Sequence, residues 1–194
     1  GGFLNATDSQ IALNNPFVNS TKAQEIATVI YTWGIYLILM IFPHPLTHDY
    51  YPNEIPITDF SNLLVLLMLL FVLAMVVFAL WKLPKKNVLS FGILFFVITF
   101  SITSNLLFNV GTFMNERFVF TSLLGFNIIL AYLIQKLARL PKSKSALISI
   151  FTIVLLAYGG KTFARNFAWK DDIKLFITDV QTSSESQKCN LSAG

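Results

Sequence analysis

The chain is 194 residues long, 55% hydrophobic and only 12% charged, with a net charge of +4 and a positive mean hydropathy. A soluble domain carries about 25% charged residues, so half that share points to lipid as the solvent. The positive balance is therefore no nucleic-acid signal, and the single cysteine, Cys189, excludes an internal disulfide and a thiolate metal cluster.

In chain order, residues 1–24 read as a polar segment in which Asn14-Asn15-Pro16 marks a turn. The chain opens Gly1-Gly2-Phe3 and reads as a piece of a longer protein. Thr21 and Gln24 have the spacing of a capping box for a helix from Lys22 to Phe42. The apolar part of that helix, 25–42, is short for a span and holds Tyr31, Trp33 and Tyr36, residues that favour a membrane interface. It either crosses the bilayer or lies along its surface.

Next comes a loop stiffened by Pro43, Pro45 and Pro52, which forbid a continuous helix. His44 and His48 stand four apart, but Pro45 breaks the helix that would pair them, so no metal site is expected. Within the loop, His48-Asp49-Tyr50 has two readings. The acid can orient a hydroxyl, hold a cation or position a sugar, or the loop is an interfacial belt of tyrosines.

Four spans follow, at about 60–81, 88–108, 118–135 and 146–160. The first contains Leu63–Leu80, an unbroken apolar run, and about 18 such residues suffice to call a span. On the second, Ser101, Ser104, Asn105 and Asn109 share one helical face that either lines a cavity or bonds a neighbouring helix. Glu116-Arg117 opens the third. There a helix N-terminus and a guanidinium suit a phosphate, with Thr121 and Gly125 continuing the face one and two turns on. The other reading is an Arg that snorkels to the interface and pairs with Glu116. The fourth span is expected to stop at Gly159-Gly160, leaving 161–194 as a mixed-charge tail.

The loops at 82–87 and 136–145 are basic and hold no acid, so the positive-inside rule assigns both to the cytoplasm. Loops 42–59 and 109–117 and the tail then share the outer face. Asp8 and Glu25 against a lone Lys22 favour a first helix lying on that face over a fifth span. The expected class is an all-α integral membrane protein with four spans, or five if 25–42 crosses. Its partners are the lipid bilayer and no nucleic acid.

The order of these motifs resembles the transmembrane and tetratricopeptide-repeat (TMTC-like) O-mannosyltransferase family. The resemblance rests on Asn14-Asn15-Pro16, on the aromatic helix ending Phe42-Pro43-His44-Pro45-Leu46-Thr47-His48-Asp49-Tyr50, and on Ile55-Pro56-Ile57. It also rests on Asn109 to Ser122 with Glu116-Arg117, and on Trp169-Lys170-Asp171-Asp172 leading towards a first repeat. Thr121 stands where the family usually has proline. The resemblance implies the C-terminal part of a GT-C membrane domain, which transfers a sugar, mannose, from a polyprenyl-phosphate donor to Ser or Thr of exported proteins. No cofactor is expected, because the sequence holds no P-loop, metal-ligand spacing or dinucleotide fingerprint. The resemblance puts the catalytic carboxylates upstream, so this piece alone is expected to be inactive. Arg117 and Thr121 would bind the donor phosphate, and His48, Asp49, Tyr50 and Glu116 would form the cleft rim. The setting would be a bacterial inner membrane, or the endoplasmic reticulum membrane in a eukaryote. The competing readings are a non-catalytic anchor for a tetratricopeptide-repeat scaffold and a lipid-linked glycan transferase or ligase with a saccharide acceptor.

Overall fold

The computed structural model describes residues 17, 20–44, 55–107, 114–139 and 143–167, the last range without the Ser143 side chain. Every regular element among them is helical: α1 (Lys22–Ile41), α2 (Leu63–Lys82), α3 (Val88–Thr103), α4 (Leu123–Ala138) and α5 (Ser143–Asn166), with 3-10 turns at Leu83–Lys85 and Glu116–Val119. Three helical stretches, Lys22–Ile41, Leu63–Lys85 and Lys144–Asn166, are long and apolar enough to cross a membrane, while α3 and α4 are apolar but shorter. Leucines, phenylalanines and isoleucines of α2 and α5 stand exposed along their length, as lipid-facing side chains do. The chain is a multi-pass membrane protein.

Local chemistry sets the helix ends. Thr21 Oγ1 accepts the Gln24 N–H at 3.2 Å and Gln24 Oε1 accepts the Thr21 N–H at 3.0 Å, so the capping box forms. Thr21→Ala is expected to cost about 1 kcal/mol of stability, seen as faster amide exchange in the first turn of α1, with Thr21→Ser near wild type. At the other end Phe42 turns extended, as a residue before proline does. Asn62 and Asn87 cap α2 and α3 through the N–H groups of Leu64 and Leu89.

Three helices stop or start away from their expected positions. The second expected span, 88–108, ends as α3 at Thr103. Ser104 closes it, and Asn105 adopts the left-handed conformation (φ 63°) that Asn tolerates at helix ends. The third, expected from 118, begins as α4 at Leu123, because the Asn115 side chain caps a separate 3-10 turn by accepting the Arg117 N–H at 3.2 Å. In the fourth, Gly159-Gly160 does not end the helix. α5 runs on to Asn166, since two glycines weaken a helix by roughly 1 kcal/mol each without removing a donor.

α3 and α4 pack antiparallel and most closely. Thr103 Oγ1 donates to the Phe118 carbonyl at 2.8 Å, Thr99 Oγ1 meets Ser122 Oγ at 3.1 Å, and Gly125 lies on Phe96 and Gly92. The hydroxyls that join the helices are thus Thr99 and Thr103. Of the expected stripe, Ser101 bonds its own helix at Ile98, Ser104 and Asn105 are buried beyond the helix end, and Asn109 lies outside the described residues. A short turn connects α2 to α3, and α5 follows closely on α4 in the chain, which gathers Lys82, Lys85, Lys86, Lys136, Arg139 and Lys144 at one end of the bundle.

α1 is tied to the other half of the bundle. Thr28 Oγ1 accepts the Thr58 N–H at 3.0 Å just before α2, Tyr36 reaches Asn115 just before α4, and Ile41 reaches Tyr158 in the second half of α5. Beneath α1 sits the aromatic core. Trp33 and Phe100 rings stand 4.7 Å apart, Tyr36 meets Phe100 edge-on at 4.9 Å, and Phe96 completes the stack. Trp33 and Tyr36, which composition marks as interfacial belt residues, are buried to 4% and 2% exposure and anchor α1 to α3.

Candidate functional site

The C-terminal half of α1, the turn and first half of α4, and the last half of α5 enclose a groove of about 690 Å³, within the range of small-molecule sites. Leu39, Met40 and Ile41 of α1 face Leu123, Phe126 and Leu130 of α4, with Val154 and Tyr158 of α5 closing the apolar side. On α5 the lining positions Val154, Tyr158, Lys161, Thr162, Arg165 and Asn166 recur at three- and four-residue spacing, so one helical face turns to the groove. That face grades from hydrocarbon to cation towards the end where Glu116 lies.

Three ties hold the walls. The Tyr158 hydroxyl donates to the Ile41 carbonyl, one of the α1 carbonyls with no helical partner. Tyr36 Oη accepts the Asn115 N–H at 2.8 Å and donates to the Asn115 carbonyl at 2.9 Å. Asn115 in turn caps the Glu116–Val119 turn. The polar mouth thus brings together Glu116, Lys161 and Arg165, all half-buried. A carboxylate there accepts hydroxyls, and two cations there suit an oxyanion such as a phosphate.

The residues expected from sequence distribute unevenly around this groove. Glu116 lines it. Arg117 is exposed on the turn, its guanidinium 5.5 Å from the Phe118 ring, and Thr121 is exposed too, while Gly125 is buried against α3. The single face through Arg117, Thr121 and Gly125 does not exist, because the 3-10 turn and the bend after it change the angular phase before α4 begins. Arg117 therefore does not sit at an α-helix N-terminus. His48, Asp49 and Tyr50 lie outside the described residues. Lys161 and Arg165 were not expected at a site, since the Gly159-Gly160 pair assigned them to the tail. The available signal was their i, i+4 spacing directly after an apolar run.

Among the described residues no three His, Cys, Asp or Glu side chains come together. Away from the groove, the Ser61 hydroxyl and then its backbone N–H hold the Asp59 carboxyl below its ordinary value, which fixes the turn leading into α2.

No family model matches the chain, and no solved structure matches it. Curated relatives do. Protein O-mannosyl-transferase TMTC1 of Mus musculus is 30% identical over 83% of this chain and 18% of its own length. Protein O-mannosyl-transferase Tmtc3 of Drosophila melanogaster is 28% identical over 93% of this chain and 21% of its own. Protein O-mannosyl-transferase TMTC3 of Homo sapiens is 24% identical over 90% and 20%. The chain spans about a fifth of the length of these relatives. With matches that run through nearly all of its helices, the chain belongs to a TMTC-like family whose curated members carry the name protein O-mannosyl-transferase.

Proposed function

We propose that this chain is the part of a membrane O-mannosyltransferase that holds a polyprenyl-phosphate-linked mannose, for transfer to Ser or Thr of exported proteins. The observation that carries this reading is the groove itself, apolar between Leu130 and Val154 and cationic at Lys161 and Arg165. A polyprenyl tail takes the apolar length, the phosphate meets the two cations, and the sugar comes beside Glu116. The names of the relatives supply the reaction class. Arg117 and Thr121, outside the groove, are the rival phosphate holders.

In this reading α2 to α5 are four spans of a GT-C type domain, and α1 lies on the outer surface as a roof over them. The gathered lysines and arginines of the other end face the cytoplasm. The bond from the anomeric carbon to the phosphate oxygen breaks and a bond to the acceptor oxygen forms. The acceptor proton goes to a carboxylate supplied by another part of the protein, while Lys161 and Arg165 stabilise the departing phosphate.

The test uses the whole protein that contains this chain, reconstituted in vesicles with radiolabelled polyprenyl-phosphate mannose and a Ser/Thr-rich acceptor peptide. Alkali-labile mannose on the peptide is expected. A protein that inserts and binds the donor lipid but transfers nothing would make the chain a scaffold anchor. Label appearing only on a saccharide acceptor would make it a glycan ligase.

A further inference from the structure

Tyr36 carries an unusual load for a buried tyrosine. It is 2% exposed, its ring stands edge-on to Phe100, and its hydroxyl bonds both backbone groups of one residue, Asn115. A buried backbone N–H and carbonyl normally find partners in a helix or strand. Here a side chain from α1 takes that role, 79 residues away in sequence. Asn115 is the residue whose side chain caps the Glu116–Val119 turn, and Tyr36 and Glu116 both line the groove.

From this we propose that Tyr36 is a positioning residue, which sets the depth at which Glu116 enters the groove. Glu116 then receives the hydroxyls of the donor's sugar. The inference rests on the reading of the groove as a lipid-linked sugar site. The pair of bonds to the N–H and the carbonyl of one residue, in two successive peptide units, fixes both the height and the rotation of the turn, which a single contact would not. The α1 roof thereby becomes part of the site although it contributes no charged group to it.

Tyr36→Phe keeps the ring against Phe100 and removes only the hydroxyl. In the whole protein it is expected to raise the donor KM about tenfold, from the two hydrogen bonds lost, with kcat within about twofold. Glu116→Gln should raise the same KM, and adding Tyr36→Phe to it should change nothing further, because the two act through one contact. Phe100→Leu, which loosens the same core and leaves the hydroxyl in place, should lower the unfolding midpoint without raising KM. An unchanged KM in Tyr36→Phe, or effects of Tyr36→Phe and Glu116→Gln that multiply, would overturn the assignment. The groove reading is judged separately with Lys161→Gln and Arg165→Gln. If these raise the donor KM while Tyr36→Phe does not, only the positioning role fails. If they do not, the groove reading fails and the positioning role with it.

Discussion

Gly125→Leu is expected to separate α3 from α4 and destabilise the bundle by more than about 3 kcal/mol, at or beyond the usual range for overpacking. A Cβ at Gly125 would stand 2.6 Å from the Phe96 nitrogen, 2.7 Å from the Gly92 carbonyl and 2.9 Å from the Phe96 Cα. All three are backbone atoms of α3, so no rotamer change relieves the clash and the helices must part. Parting them also breaks the Thr99–Ser122 and Thr103–Phe118 bonds. In lipid, where close packing and hydrogen bonds replace the hydrophobic effect between helices, such contacts are the main source of association.

Gly125→Ala should already cost roughly 2 kcal/mol net, about 3 from the clash less about 1 gained in helix propensity. The measurement is the unfolding midpoint in detergent. Gly159→Ala and Gly160→Ala provide the contrast, since nothing lies within 4 Å of either added methyl. Each should be neutral or stabilising by up to about 1 kcal/mol. A Gly125→Ala protein as stable as the wild type would show that the two backbones do not touch.

Lys161→Glu combined with Arg165→Glu is expected to abolish measurable use of a phosphate-linked lipid donor. Each charge-assisted hydrogen bond to a phosphate contributes about 1.5–3 kcal/mol, so neutralising both costs on the order of 100-fold or more in donor affinity. Reversal adds repulsion inside a groove whose walls are apolar and whose mouth already holds Glu116. The readout is binding of labelled polyprenyl phosphate to the inserted protein, with membrane insertion measured alongside.

Arg117→Gln and Thr121→Val are the comparison, because both side chains are exposed outside the groove. They should change donor binding by less than about threefold, a weak rim effect. If the Arg117 variant loses the donor and the Lys161 and Arg165 variants keep it, the phosphate sits on the turn instead.

The parts of the protein legible in its sequence are those whose causes are near neighbours. The start of α1 is written in Thr21 and Gln24, three residues apart. Lipid as the solvent is written in Leu63–Leu80. The gathering of cations at one end follows from two acid-free loops joining antiparallel helices. The helix ends were less legible where two local signals compete. Asn105 reads as a polar helical position until the chain takes the left-handed conformation there, and Gly159-Gly160 reads as a stop although the helix passes through. Backbone hydrogen bonding overrides the propensity of two glycines because breaking it in lipid costs several kcal/mol per unsatisfied group.

By itself, then, the sequence determined the class: an all-helical membrane chain, its first cap, the shared end of its basic loops and its TMTC-like motif order. Only the tertiary structure decided that Trp33 and Tyr36 are core, that Gly125 is a backbone contact, and that Glu116 shares a groove with Lys161 and Arg165. The reason is the range of the interactions. Caps, turns and apolar runs are settled within a few residues, whereas a groove forms where faces of α1, α4 and α5, far apart along the chain, are brought together by packing that no local stretch encodes.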